Sequence, residues 1–183
     1  MENNQHERRS KFLSLILRHQ PEKIGLELDS SGWADIDLLL QKAAAHGKLM
    51  SRQQLEAVVA NCDKQRFALS DDKQRIRANQ GHSLAAVDLA LTPTTPPETL
   101  FHGTASRFIA SIRATGLTPG SRNHVHLSLE LETASKVGLR HGKLVMLSVR
   151  AGAMAAQGHA FYVSENGVWL TAAVPPEFID FPA

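Results

Sequence analysis

The sequence has 183 residues and a formal net charge of +2, from 20 Lys and Arg against 18 Asp and Glu, so bulk charge does not mark a nucleic-acid-binding protein. Its single cysteine, Cys62, excludes an intramolecular disulfide and a cysteine-based zinc site. The first residues lack the apolar stretch of a signal peptide, and no apolar run approaches the ~18–20 residues of a membrane span, so we expect a soluble cytoplasmic protein.

The first ninety residues predict three helices followed by a strand hairpin. Apolar side chains recur at helical spacing before Pro21, which ends the first helix, and Ser51 is a suitable N-cap for the third. Cys62 closes that third helix and is expected in the core. In chain order, the predicted elements are a helix over 8–19, a strand over 24–28, helices over 35–46 and 51–62, and strands over 66–69 and 74–78. This is a winged-helix pattern, which in different proteins binds nucleic acid or another protein.

A segment rich in proline and threonine, residues 92–99, follows this half and places a domain boundary near residue 90. Short strands and helices alternate beyond it, and Asn166-Gly167 is a strong signal for a hairpin turn. The predicted elements are strands over 100–102, 124–128 and 144–149, helices over 107–114 and 131–140, and a hairpin over 161–163 and 168–170. We therefore expect an α+β chain with two domains, residues 1–90 and 91–183.

Residues 75–83 carry the most chemical information. They combine two arginines, two amides, a glycine and a histidine, and they contain no carboxylate. The planar fork of an arginine matches phosphate oxygens, and a glycine lets the backbone approach a ligand closely. The segment is therefore suited to an anion such as phosphate, although a polar hairpin arm in solvent would have the same composition.

Further arginines stand at positions that suit either a ligand or solvent. Arg18-His19 ends the first predicted helix, where the helix dipole alone favours cations. Arg66 opens a predicted strand. Arg122 lies in a loop just before another strand, and such loops often carry ligand-contacting residues.

Histidines and small polar residues supply the candidates of the second half. His102-Gly103-Thr104 is predicted to end a strand, and it offers a ring, a bare backbone and a hydroxyl. His124 and His126 form a conceivable metal pair, but no third ligand stands at a helpful spacing. Nucleotide-binding glycine loops, the serine-hydrolase motif and paired carboxylates are absent from the sequence. The remaining set favours stabilising an anion and positioning a substrate that brings its own nucleophile.

Six of these segments occur in an order that is specific to one family. The segments are Arg18-His19, Arg66, Arg77–Ser83, His102–Thr104, Arg122 with His126–Ser128, and Asn166–Thr171. Together they strongly resemble the RNA 2′-phosphotransferase family, bacterial members included. The resemblance extends over about residues 10–180, nearly the whole chain.

The resemblance implies two lobes and a reaction of two steps. The N-terminal lobe would be a winged helix that binds RNA, and the C-terminal lobe would be ADP-ribosyltransferase-like and bind NAD⁺ as co-substrate. An internal 2′-phosphate of the RNA would attack the anomeric carbon of NAD⁺ and expel nicotinamide. The ribose 2″-hydroxyl would then attack the phosphorus, releasing RNA with a 2′-hydroxyl and ADP-ribose 1″,2″-cyclic phosphate. We expect no metal, no membrane, a tRNA-like RNA partner and a monomer.

By the same resemblance, Arg18, His19, Arg66 and Arg122 form the catalytic set. Arg18 and Arg66 would grip the 2′-phosphate, and Arg122 would stabilise the phosphoryl transfer of the second step. His19 would orient the phosphate or handle a proton.

Many ADP-ribosyltransferases carry a glutamate where this sequence has Val168, and an apolar residue fits a reaction whose acceptor is already an anion.

The resemblance also implies two groups of binding residues. The predicted NAD⁺ pocket is lined by His102, Gly103, Thr104, His126, Ser128, Asn166 and Val168. The predicted wall between RNA and cofactor consists of Arg77, Asn79, Gln80 and His82.

Two alternative functions would use the same set of candidate residues. An ADP-ribosyltransferase that caps a terminal phosphate of nucleic acid would stop after the first step. A winged-helix regulator that senses NAD⁺ would bind without turnover, although the small charge excess and the few aromatic side chains give it little support. Nicotinamide release that depends on a 2′-phosphorylated RNA, together with formation of the cyclic phosphate, distinguishes the two-step reaction from both.

Overall fold

The computed structural model of the protein describes residues 2–62 and 64–182. The chain forms two compact units, Met1–Ala90 and Leu91–Ala183, and each unit has its own hydrophobic core. Both units combine helices with small antiparallel sheets, so the predicted α+β class is confirmed. Within the described residues, no helix has the length and the apolar character needed to cross a bilayer.

The first unit packs its helices against a three-stranded sheet. Its helices are α1 (Glu2–Arg18), α2 (Ile36–Ala45) and α3 (Arg52–Ala60), with a 3-10 turn at Pro21–Ile24, and its strands are β1 (Ala34–Asp35), β2 (Phe67–Leu69) and β3 (Arg75–Ala78). The strands are antiparallel in the order β1–β3–β2. The predicted hairpin of β2 and β3 is confirmed, and β1, which the sequence pattern did not predict, pairs with its other edge.

Polar side chains fix where α2 and α3 begin. The Asp35 carboxylate accepts a hydrogen bond from the Leu38 N–H at 2.8 Å. The Ser51 hydroxyl accepts from the Gln54 N–H at 3.2 Å, and the Gln54 side chain accepts from the Ser51 N–H at 3.0 Å, which completes a capping box. Each cap satisfies an N–H group that has no partner inside the helix and contributes about 1 kcal/mol. The predicted N-cap at Ser51 is confirmed.

Apolar side chains at helical spacing bury one face of α1. Leu13, Ile16 and Leu17 are fully buried, in one cluster with Leu55 of α3 and Ile76 of β3. Burying side chains of this size contributes about 1.5–3 kcal/mol each. This stripe therefore anchors α1, and with it the C-terminal end of the helix, against α3 and the sheet.

One predicted element of the first unit is wrong. Residues 24–28 do not form a strand: the 3-10 turn ends at Gly25, whose φ is +63°, and the following residues pair with no strand among the described residues. The apolar alternation that suggested a strand comes from Ile24 and Leu26, which each bury a side chain in the core. Cys62 lies just beyond α3 and is buried, as predicted.

The second unit contains two small sheets and short helices. Its strands are β4 (Leu100–Ala105), β5 (Val125–Leu127), β6 (Leu144–Val149), β7 (Phe161–Val163), β8 (Trp169–Thr171) and β9 (Ile179–Asp180). Its helices are α4 (Ile109–Thr115), α5 (Leu131–Gly138) and α6 (Ala151–Ala156), with 3-10 turns at Ser106–Phe108, Leu139–His141 and Pro176–Phe178. The antiparallel sheets have the orders β4–β6–β9 and β5–β8–β7, and a bridge between Phe101 and Ser128 connects them. The predicted β6 strand and β7–β8 hairpin are confirmed.

The first strand of this unit is longer than predicted. β4 pairs with β6 along its whole length, from Leu100 opposite Val149 to Ala105 opposite Leu144. His102-Gly103-Thr104 therefore lies inside a strand, and the prediction that it ends one is wrong. The partner strand decides the length of β4, and local sequence does not reveal that partner.

Glycines let α5 lie directly on β4. A Cβ atom at Gly103 would be 1.9 Å from the Ala134 carbonyl oxygen, and one at Gly138 would be 2.7 Å from the Gly103 carbonyl carbon. No side chain fits at such distances, so the helix and the strand can approach this closely only with glycine at both positions. Gly103 therefore has a packing role that the sequence analysis did not anticipate.

Candidate functional site

The end of α1 and residues 79–83 meet in the first unit. The Ser83 N–H donates to the Arg18 carbonyl oxygen at 3.0 Å, and Ser83 Oγ lies 3.0 Å from His19 Nδ1. Gly81, with a φ of +86°, lies against Arg18, and a Cβ atom there would be 3.6 Å from Arg18 Nη1. The carboxylate-free segment and the Arg18-His19 pair, which are far apart in sequence, therefore belong to one cluster.

Arg66 joins this cluster through its backbone. Its carbonyl oxygen accepts hydrogen bonds from the Asn79 N–H at 2.9 Å and from Arg18 Nη2 at 3.5 Å. The N–H and Nη1 of Arg66 both donate to the Cys62 sulfur at 3.5 Å. The buried thiol thus orients a guanidinium, a role that the sequence analysis missed. The structure brings together Arg18, His19 and Arg66, the candidate catalytic residues of this unit.

Asn79 has a structural task in the same cluster. Its side chain is buried, and Nδ2 donates to the Gln65 carbonyl oxygen at 2.7 Å. Gln65 has a φ of +42°, in the left-handed region that residues other than glycine seldom adopt. The Asn79 amide therefore holds the backbone turn that leads into Arg66.

His82 is the buried histidine of the cluster, with 3% of its surface exposed. Burial lowers the pKa of this imidazole to about 4, and the nearby positive charges of Arg18, His19 and Arg77 act in the same direction. The ring is therefore neutral near pH 7. Its Nε2 faces the turn at Gly32, where a Cβ atom would lie 3.2 Å away, and has no hydrogen-bond partner in the described part of the chain.

The four predicted wall residues differ in exposure. Asn79 and His82 lie in the interior of the first unit, whereas Arg77 and Gln80 are partly exposed. The contacts of Asn79 and His82 shape the cluster from within the unit. Contact with RNA stays a prediction for all four residues. Arg77 and Gln80 are the two whose partial exposure allows a direct contact.

Two histidines of the second unit are linked across neighbouring strands. His102 Nδ1 lies 3.0 Å from the His126 carbonyl oxygen, and His126 Nδ1 lies 3.0 Å from the His124 carbonyl oxygen. A carbonyl oxygen only accepts, so both Nδ1 atoms donate. Burial lowers the pKa of His102 despite the opposing effect of this hydrogen bond, so the ring is neutral and its Nε2 carries a lone pair. The structure therefore fixes one tautomer of His102.

The β7–β8 turn carries Asn166 and Val168, and Val168 lies beside the end of β5. Continuing the β5–β8 register by one residue places Ser128 opposite Val168. The buried Ser164 hydroxyl donates to Asn166 Oδ1 at 2.7 Å and accepts from the Val168 N–H at 3.1 Å. Ser164 was not among the predicted site residues, although a serine at the start of such a turn is a typical signal.

The predicted cofactor residues are thus mostly adjacent within the second unit. Backbone pairing and one hydrogen bond place His102, His126, Ser128 and Val168 on neighbouring strands, and Asn166 stands two residues before Val168 in the β7–β8 turn. Gly103 and Thr104 are buried in β4, with α5 packed on Gly103. Arg122 is exposed in the loop before β5, where its N–H donates to the Pro119 carbonyl oxygen at 3.2 Å.

The two units offer different chemistry. The first presents guanidinium groups beside a segment without carboxylates, which suits a phosphate. The second presents a neutral imidazole with hydroxyl and amide groups, which suits sugar hydroxyls and a carboxamide. Among the residues that the structure describes, no three His, Cys, Asp or Glu side chains are grouped closely enough to hold a metal ion.

Comparison with a family model and comparison with individual proteins give the same family description. The family described as "RNA 2′-phosphotransferase, Tpt1 / KptA family" matches residues 4–173 of this chain. A probable RNA 2′-phosphotransferase of Hahella chejuensis is 61% identical over 171 residues, which are 93% of this chain and 91% of that protein. A protein of the same description from Pseudomonas fluorescens is 60% identical, over 93% of both chains. Another from Pectobacterium carotovorum is 53% identical, over 98% of this chain and 97% of its own.

Proposed function

Because this chain belongs to the RNA 2′-phosphotransferase family, a family of transferases, we propose that it removes an internal 2′-phosphate from RNA by transfer to NAD⁺. NAD⁺ supplies an anomeric carbon with nicotinamide as leaving group, and a ribose 2″-hydroxyl that then displaces the RNA 2′-oxygen from phosphorus. The products are RNA with a 2′-hydroxyl, nicotinamide and ADP-ribose 1″,2″-cyclic phosphate.

We interpret the first unit as a winged-helix RNA lobe and the second as an ADP-ribosyltransferase-like lobe for NAD⁺. The order of α1, α2 and α3 followed by the β2–β3 hairpin supports the first assignment. The short antiparallel strands of the second unit, with neutral His102 on β4, support the second.

The observation that carries the proposal is the cluster of Arg18, His19 and Arg66 with residues 79–83. Both arginines are cationic at any physiological pH, and a guanidinium fork binds phosphate oxygens through two parallel hydrogen bonds. The segment contributes no carboxylate that would repel a phosphate. Since the substrate phosphate is itself the nucleophile, this unit needs only to bind and orient it.

The four catalytic candidates then divide three tasks. Arg18 and Arg66 hold the 2′-phosphate during the first step. Arg122, exposed ahead of β5, stabilises the charge on the phosphoryl group during the second. His19, whose Nδ1 contacts Ser83, orients the phosphate or moves a proton.

The donor set of the second unit fits the ribose and carboxamide of NAD⁺. The Nε2 lone pair of His102 accepts from a ribose hydroxyl, and Ser128 and Asn166 supply a hydroxyl and an amide. Val168 occupies the position where many ADP-ribosyltransferases have glutamate. A carboxylate there would repel the phosphate acceptor, so an apolar residue suits this reaction.

The test is a product assay with NAD⁺ and a short 2′-phosphorylated oligonucleotide. We expect equal amounts of nicotinamide, cyclic-phosphorylated ADP-ribose and dephosphorylated RNA. The same oligonucleotide without the 2′-phosphate is the control and should leave NAD⁺ intact. If NAD⁺ also stays intact with the phosphorylated RNA, the proposal fails.

Two other outcomes of this assay would replace the proposal. ADP-ribosylated RNA without any cyclic phosphate would identify a capping ADP-ribosyltransferase. Binding of NAD⁺ without nicotinamide release would identify a regulator.

A further inference from the structure

One face of the first unit's sheet carries two arginines stacked on a tryptophan. Ile76 and Ala78 of β3 are fully buried, so the alternating residues Arg75 and Arg77 lie on the opposite face. Arg77 Cζ lies 4.6 Å and Arg75 Cζ 5.4 Å from the centroid of the Trp33 ring. We name Trp33, Arg75 and Arg77 the arginine track.

The backbone sets where these side chains meet. β1 and β3 pair with Ala34 opposite Ile76, and continuing this register by one residue places Trp33 opposite Arg77. The Asp29 carboxylate accepts the Trp33 N–H through Oδ1 at 2.9 Å and so shapes the turn before the strand. The position of Trp33 is therefore determined by the turn and the sheet, and the arginines stack on a preformed surface.

Stacking on the ring does not by itself engage the N–H donors of a guanidinium. A guanidinium on an aromatic face keeps its N–H donors in its own plane, directed away from the ring. Arg75 also pairs with Asp29 Oδ2 at 3.6 Å, but these side chains are 51% and 45% exposed. An exposed pair of this kind contributes little, so a phosphate can replace the carboxylate at small cost.

The track leads toward the proposed phosphate-binding arginine of the same unit. β2 and β3 pair with Ala68 opposite Arg77, and Arg66 stands two residues before Ala68 on the same side of the strand. Alternate residues of a strand are about 7 Å apart, so Arg75 and Arg77 form a row of cations. A row of cations beside an aromatic ring fits the repeating phosphates of single-stranded nucleic acid.

We propose that the arginine track binds the phosphodiester backbone of the single-stranded substrate RNA, beside the nucleotide that carries the 2′-phosphate. This inference rests on the proposed function and adds a partner surface to it. Arg75 and Arg77 contact successive phosphates, and Trp33 holds the two guanidinium groups in line. Backbone contacts carry no base information, so the enzyme favours longer RNA over a minimal substrate whatever the sequence.

The test compares a 2′-phosphorylated dinucleotide with a decanucleotide that carries one internal 2′-phosphate. Arg75→Gln and Trp33→Leu lower kcat/KM for the decanucleotide about tenfold and leave the dinucleotide value unchanged within about twofold. Arg75→Gln also reduces the slope of log affinity against log salt by about 0.7, the value for one lost phosphate contact on a single strand. Lys48→Gln, which removes an exposed charge outside the sheet, is the matched control and keeps the wild-type preference for length.

A second measurement separates the track from the proposed function. Binding of an unphosphorylated decanucleotide, followed by fluorescence anisotropy, does not depend on turnover and weakens about tenfold in Arg75→Gln. Equal loss on both substrates, or no loss on either with unchanged RNA binding, overturns the arginine track. If the unaltered protein consumes neither substrate, the proposed function fails, and weakened RNA binding by Arg75→Gln still supports the track.

Discussion

Arg18, Arg66 and Arg122 carry the same chemical group in different surroundings. Arg18 is partly buried against Gly81, and Arg66 is partly buried beside the Cys62 thiol. Arg122 is exposed in a loop of the second unit. We propose that the two partly buried arginines capture the 2′-phosphate and that the loop arginine acts in the later step.

Substitution of these arginines should separate the two steps. Arg18→Ala should slow consumption of 2′-phosphorylated RNA by about 10²–10³-fold, because one positioned charged donor contributes that much to a rate. Arg122→Ala should let ADP-ribosylated RNA accumulate. Single-turnover time courses with labelled RNA measure both species, and the exposed Arg107→Ala is the control. Equal loss in both variants with no accumulated intermediate would refute this division of roles.

His82 makes the first unit sensitive to acid. Its pKa is about 4 in the folded protein and near 6.5 in an unfolded chain, so between these values the unfolded chain binds the extra proton. The stability associated with the neutral ring is complete above about pH 6.5 and falls toward pH 4, by at most about 1.4 kcal/mol per pH unit. Urea unfolding across this range should show a flatter profile for His82→Gln than for the wild type.

The matched control for this pH profile is an exposed histidine. His46→Gln makes the same replacement at an exposed residue at the end of α2, so comparison of the two variants isolates the effect of burial. An equally steep acid slope in His82→Gln would show that other groups cause the loss.

Elements pack closely where glycine removes the side chain between them. Gly103→Ala should lower the free energy of unfolding by about 1–3 kcal/mol, because its Cβ would overlap the Ala134 carbonyl oxygen of α5. Lys136→Ala on α5 removes an exposed ion pair with Glu132 and should leave the free energy of unfolding close to the wild-type value. Thermal and urea unfolding measure both. A Gly103→Ala protein as stable as the control would mean that α5 can shift away from β4.

The start of α3 depends on one hydroxyl. Ser51→Ala should lower the unfolding free energy by about 1 kcal/mol, because the Gln54 N–H loses its acceptor. Ser51→Asp keeps an acceptor at the same position and should retain most of the stability. Equal losses in the two variants, measured by urea unfolding, would show that the cap is not the cause.

At the scale of the whole molecule, the proposed reaction needs cations for a phosphate and a pocket for NAD⁺, and we propose that the chain supplies both with its own side chains. Arginines provide the positive charge in the first unit. Removal of divalent ions by EDTA should therefore leave turnover of 2′-phosphorylated RNA unchanged, and added Mg²⁺ should not raise it. A loss of turnover that Mg²⁺ restores would contradict this prediction.

Interactions between residues close in sequence allowed much of the fold to be predicted. Helical periodicity predicted α1, a capping serine predicted the start of α3, and Asn166-Gly167 predicted the β7–β8 hairpin. The strand predicted over 24–28 was wrong because burial of isolated apolar side chains imitates strand alternation. The length of β4 was underestimated because β6 determines it.

The sequence by itself determined the α+β class, most helices and strands, and a family resemblance that named candidates such as Arg18, Arg66 and His102. Only the tertiary structure showed that Cys62 contacts Arg66 and that the buried His82 lies beside Arg18. It also decided the tautomer of His102. The physical reason is the separation along the chain over which each kind of interaction acts. Periodicity, caps and turns act between residues a few positions apart, whereas burial, pKa shifts and hydrogen bonds across strands depend on segments that only the packed chain brings together.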